Sequence, residues 1–147
     1  MWPAAFLSIL ITITTLFSIE FNHERLMMQK SVNDNADVVS FLAYRQAAIA
    51  YLNNNPLLTG SITNTQMTPY VPVGYTDPGH WQNLIDSGKL YVYTTHNLNL
   101  DLLNDRLYRS FLVGKKAGGT LISLSGYNTS IPLPASLPDN AIIIVGS

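Results

Sequence analysis

From Trp2 to Ile19 the chain carries eighteen consecutive residues without a charge, WPAAFLSILITITTLFSI, and the run stops at Glu20. As a helix, a run of that length spans about 27 Å, close to the hydrocarbon thickness of a bilayer. Thr12, Thr14, Thr15 and Ser18 are compatible with a span, because helical hydroxyls bond back to carbonyls one turn earlier. Pro3 falls in the first turn, where a missing N–H costs nothing, and Trp2 falls where an interfacial aromatic sits. The run is apolar on every side, which argues against a half-buried core helix. The reading is a transmembrane anchor over residues 1–20.

Three other fates of such a segment fit the sequence less well. A cleaved signal peptide wants a basic start and small residues before the cut, and neither is present. A lipoprotein needs a cysteine, and the chain has none. A pilin-type helix carries a Gly-aromatic cleavage site and an early Glu, whereas here Glu20 follows the run. An uncleaved single span is therefore expected. Its orientation stays open on charge alone. Arg25 and Lys30 flank the C-terminal end and favour a cytoplasmic body, but Glu20, Glu24, Asp34 and Asp37 share that flank.

The remaining residues suffice for one compact domain and a connector. With 8 basic and 9 acidic residues and no charge run, there is no nucleic-acid footprint. Charged residues make up 12% of the chain, roughly half the usual ~25%. A surface rich in Asn, Ser, Thr and Tyr repels weakly and suits packing into an assembly.

Residues 21–55 read as a helical connector, the clearest part being an amphipathic helix over 32–54. Val38, Phe41, Leu42, Ile49 and Leu52 recur at helical spacing, and Asn53, Asn54, Asn55 and Pro56 end the pattern. Ala43, Ala47 and Ala50 read either as close helix packing or as a self-association seam, so a homo-oligomer is one outcome. Residues 56–80 are punctuated by Pro and Gly and read as a long loop, with short extended pieces such as TPYVPV.

Residues 81–147 carry the fold. Trp81, Leu84 and Ile85 suggest a short helix closed by Gly88, and KLYVYTT at 89–95 reads as a strand. Leu98, Leu102, Leu103, Leu107 and Phe111 share a helical face over 98–112. GKKAGG at 114–119 reads as a basic turn, followed by the strand TLISLS. A proline-interrupted connection then leads to a buried strand over 141–145. The expected class is a small mixed α+β domain over 56–147.

The stretch RLYRSFLVGKKAGGTLISLSGYNTSIPLPASLPDNAIIIVG resembles the PilM family of type IVb and conjugative thin pilus systems. The VGKK…G pattern at 113–119, the IPLPA-x-x-P run at 131–138 and the closing IIIVG carry the resemblance, together with length and anchor. It implies a small inner-membrane protein of pilus assembly with one span and a periplasmic domain. Its partners would be pilins and basal-body subunits, with lipid against residues 2–19. This family is distinct from the actin-like cytoplasmic protein of the same name, whose Gly-rich phosphate loop is missing here.

No residue set points to catalysis, a cofactor or a metal. GKKAGG lacks the glycines before its lysine and the helix after it that a phosphate loop needs. His23, His80 and His96 show no ligand-pair spacing; Asp77 with His80 comes nearest. Ser125-Gly126 is not a nucleophile elbow, and Asp86, Asp101, Asp105 and Asp139 lie among polar neighbours. Asn128-Thr129-Ser130 fits a glycosylation sequon, relevant only in a eukaryotic secretory route. The expectation is a structural component that works by protein contacts. Two alternatives remain: a membrane-tethered envelope enzyme or ligand-binding domain, seated at Tyr70, Tyr75, Asp77 and His80, and a minor pilin-like subunit.

Replacing Ile11 with Arg near the middle of the run should cost about 2.5–3.5 kcal/mol of insertion. The variant should leave carbonate-washed membranes or be degraded; retention like wild type would refute the single-span reading.

Overall fold

A computed structural model of the chain describes the backbone of residues 2–146 and the side chains of residues 24–146. The expected span, Trp2–Ile19, lies outside the described side chains, and among the described residues no helix is long and apolar enough to cross a membrane. The chain divides into two units, 1–36 and 37–147. Residues 2–36 of the first belong to α1 (Trp2–Asn54), and Leu26, Met27, Met28 and Val32 are exposed there.

The second unit begins at Asp37, inside the stretch read as a connector, because the last part of α1 is core. Val38, Phe41, Tyr44, Ala47 and Ala48 are buried there, while Leu42, Ile49 and Leu52 pack partly buried at the edge. Ala47 is fully buried within the unit, so its small side chain serves close helix packing rather than a seam between copies. The asparagines end α1 as expected. The Asn54 and Asn55 Nδ2 groups donate to the carbonyls of Ala50 and Tyr51, satisfying acceptors the helix leaves open.

The loop that follows contains α2 (Asn64–Met67) and a 3-10 turn at Thr68–Tyr70, where an extended piece was expected. A capping box starts α2: Thr63 accepts from the Gln66 N–H, and the Gln66 side chain accepts from the Thr63 N–H.

Six strands form one antiparallel sheet: β1 (Gln82–Asp86), β2 (Lys89–Thr94), β3 (Val113–Ala117), β4 (Thr120–Ser123), β5 (Asn128–Pro132) and β6 (Ile142–Gly146). Their spatial order is β1-β2-β6-β3-β4-β5. The C-terminal strand thus lies between a hairpin, β1–β2, and a meander, β3–β4–β5. Because alternate side chains point to opposite faces, Ile142 and Ile144 join the α1 core, and Ile143 and Val145 join a second core with Tyr91, Leu121, Leu133, Leu137 and Ala141. The segment carrying Leu133 and Leu137 covers this second face, so β6 is buried on both sides.

Several expectations are corrected here. Residues 82–86 form β1, not a helix: Asn83 and Ile85 are buried and alternate with exposed or half-buried neighbours. Gly88 is a turn residue rather than a helix terminator. Ser87 and Gly88, at φ 53° and 75°, make a two-residue turn between paired Asp86 and Lys89 that matches the twist of the strands.

The helix expected over 98–112 is only α3 (Leu100–Arg106). It ends in a Schellman motif, in which the Tyr108 N–H donates to the Asp105 carbonyl and the Arg109 N–H to that of Asn104. Tyr108 holds the left-handed position usually given to Gly, at φ 53°. Residues 113–117 form β3 rather than a basic turn, and only Gly118-Gly119 turn. Asn128–Pro132 adds the edge strand β5, where a connection was expected.

Gly114 sits where β3 meets β4 and admits no side chain. A Cβ there would lie 1.9 Å from the Ile122 carbonyl oxygen. Gly114→Ala should therefore destabilise the folded chain by about 3 kcal/mol or more, because backbone must move to relieve the clash. Thermal unfolding in detergent measures this; an unchanged midpoint would contradict the β3–β4 register.

Candidate functional site

Asn83 is the polar centre of the α1 side of the sheet. It is buried on β1, and its Nδ2 donates to the Tyr44 hydroxyl at 2.7 Å and to the Ile62 carbonyl at 2.9 Å. Its Oδ1 accepts from the Ile62 N–H at 2.6 Å. One amide therefore joins helix, loop and sheet. Beside it, Gly60 and Ile85 exchange backbone hydrogen bonds, so the loop covers the outer edge of β1. Burial pushes the Tyr44 hydroxyl up to about 12, opposed by the Asn83 hydrogen bond and reinforced by the nearby Asp77 carboxylate.

Next to this centre lies a pocket of about 190 Å³, lined by Tyr44, Asn64, Met67, Thr68, Val71, Tyr75 and Asp77. Asp77 accepts from the Asn64 side chain through Oδ2 and from the Gly79 N–H at 2.9 Å through Oδ1, which fixes it on the wall. Among the described residues no Lys, Arg or His forms an ion pair with this carboxylate. The Tyr75 hydroxyl is buried beside Ser40, and burial raises its pKa, opposed by the interaction with the Ser40 side chain. The Ser40 hydroxyl accepts from Trp81 Nε1 at 3.0 Å.

Of the loop residues singled out from sequence, Tyr75 and Asp77 line this pocket. Tyr70 instead packs edge-on against Tyr51 at 5.7 Å, and His80 stacks on His96 at 4.5 Å. Trp81 meets both imidazoles edge-on, and His96 Nε2 lies 3.7 Å from Asp37 Oδ2. Tyr44 and Asn64 carried no signal of their own: a tyrosine on an amphipathic face reads as core, and an asparagine in a polar loop reads as solvated. The T-x-x-Q box that places Asn64 was the readable clue.

The remaining candidates are scattered. Asp86 flanks the β1–β2 turn, Asp101 lies exposed in the first turn of α3, and Asp105 is 4.0 Å from Arg109. Lys115 is exposed on β3. Lys116 is buried, and its ammonium donates to the carbonyls of Pro134, Ala135 and Leu137, the last at 2.6 Å, with Asp139 at 3.6 Å. That cation organises the turn covering the second core. His23 lies outside the described side chains. Among the described residues no group of three or more His, Asp or Glu is placed to hold a metal ion.

The chain matches the PilM family model over residues 7–145. No curated protein matches it. Among solved structures, a protein named PilM from Escherichia coli B7A shares 24% identity at a TM-score of 0.61, covering 80% of this chain and 94% of that one. That likeness shows a common fold. A protein named pilM from Pseudomonas aeruginosa 2192 shares 25% identity at a TM-score of 0.45, covering 78% of this chain and 95% of that one.

Tyr44→Phe should cost about 1–3 kcal/mol by stranding an Asn83 N–H. The raised pKa has a second consequence. The neutral phenol is favoured in the fold, so its contribution is complete below pH ~10 and declines as pH rises toward about 12. Chemical denaturation across that window should show a steeper alkaline loss for wild type than for Tyr44→Phe; parallel curves would place Tyr44 in water.

Proposed function

This chain belongs to the PilM family, and we propose that it is a structural inner-membrane component of type IV (thin) pilus biogenesis that works through protein contacts. Family membership over nearly the whole chain carries the proposal and associates the protein with pilus assembly. In this reading residues 2–19 anchor a single pass, residues 37–147 form a periplasmic module, and the partners are pilins or basal-body subunits. The uncharged run supports the anchor, the family resemblance supports the periplasmic side against the weak Arg25 and Lys30 count, and a surface low in charge supports a contact role. The module's polar groups support a contact role: Asn83, Lys116 and Asp77 each hold a loop in place, which is a use for them in the fold itself.

A reporter active only after export, fused after Ser147, should be active; activity of a cytoplasmic reporter would overturn the placement. Alanine replacements at His80, His96, Asp86, Asp101, Asp105, Asp139 and Lys115 should each leave pilus formation largely intact, since contact surfaces tolerate loss of single polar groups. Removing a catalytic group commonly costs orders of magnitude in rate. Loss of pili from one of these variants, with the protein folded and membrane-bound, would favour an envelope enzyme instead. Ile143→Asp should abolish pili by placing an unpaired charge in the second core.

A further inference from the structure

The pocket beside Tyr44 is a built site with a defined chemical preference. At about 190 Å³ it is smaller than the ~300–1,000 Å³ of sites that enclose a whole small ligand. One side chain fills such a space. Its floor and walls are apolar or aromatic: Met67, Val71 and the tyrosine rings. On one wall sits the Asp77 carboxylate, which accepts two hydrogen bonds from neutral donors and so keeps lone-pair capacity for more. Among the described residues it has no cationic partner. An aliphatic stem ending in a cation satisfies all of these features together. The stem covers apolar walls, and the cation donates to the carboxylate beside aromatic faces.

We propose that this pocket receives a single Lys or Arg side chain of a partner protein. A wider groove shares Tyr44 and Asn64 with the pocket and is lined among others by Ser61, Thr63, Gln82 and Tyr93. That groove gives the partner's flanking backbone a polar surface to lie on, which a free amino acid would not use. The inference rests on the protein-contact reading of the module. Because it is tested by binding on the purified chain, its failure is separable from failure in pilus formation.

The test titrates full-length protein in detergent, with isotope-labelled tyrosines observed by NMR, using three five-residue peptides. These have Lys, Arg or the uncharged isostere norleucine at the centre of an otherwise alanine sequence; capped lysine and arginine amides form a fourth arm. The basic peptides should shift the Tyr44 and Tyr75 ring signals saturably, and the norleucine peptide should bind at least about fivefold more weakly. Asp77→Asn should weaken the basic peptides by a similar factor while keeping an acceptor for the Gly79 N–H. Val71→Phe, which fills the pocket without touching its polar groups, should abolish the shifts. Equal binding of the norleucine peptide, or basic-peptide binding unchanged in both Asp77→Asn and Val71→Phe, would overturn the proposal. Capped amino acids that bind as tightly as the peptides would overturn the partner protein as the source.

Discussion

The sheet depends on β6 finding its place between two hairpins made earlier in the chain. β1–β2 and β3–β4 close over two-residue turns and need only local contacts, but neither hairpin has a complete hydrophobic face of its own. The last strand joins them, pairing with β2 over Leu90–Thr94 and with β3 over Val113–Lys115. Four consecutive buried residues, Ile142 to Val145, then feed two cores at once. Burial of such side chains is worth about 1.5–3 kcal/mol each, and here it is available only after the whole sheet has assembled.

Three buried or fixed polar groups hold the irregular segments onto this frame. Asn83 ties the loop through Ile62 to α1 and β1, Asp77 ties α2 to the residues after it, and Lys116 gathers the carbonyls of the 134–137 turn. Such groups are costly to bury unpaired, so each selects one loop conformation over the alternatives. The segments that carry the family resemblance belong to this frame. VGKK supplies Gly114 for the close approach to β4 and Lys116 for the turn, IPLPA-x-x-P supplies the carbonyls around Lys116, and IIIVG is β6. Their pattern therefore records how the fold closes. The pocket walls come from α1 and the loop instead, which leaves partner choice free to be set apart from the frame.

Periodicity made the second part of α1, β2, β4 and β6 legible, because each has an apolar pattern long or pure enough to state its own period. β1 failed that test: in QNLID the apolar pair Leu84–Ile85 is adjacent, and the buried alternate position is Asn83, whose burial depends on Tyr44 and Ile62 far along the chain. α3 was overextended because its stop is made by Tyr108, whose left-handed conformation no residue type announces. β3 was hidden by Lys116, a charge in a strand interior that carbonyls from residues 134–137 make tolerable. At the candidate site, Tyr75 and Asp77 were visible as chemistry in a long loop, while Tyr44 and Asn64 were not.

The sequence by itself determined the elements whose stability is local: the amphipathic helix and its asparagine end, the turn at Gly118-Gly119, the apolar terminal strand and an uncharged run of membrane-spanning length. It also determined the family, since pattern and order survive without coordinates. Only the tertiary structure decided which polar residues are buried, that β6 lies at the centre, and that a carboxylate with no cationic partner among the described residues shares a small pocket with two tyrosines. The physical reason is the same in each case. Burying a polar group is favourable only when partners distant in sequence arrive together, and a one-dimensional pattern does not contain that coincidence.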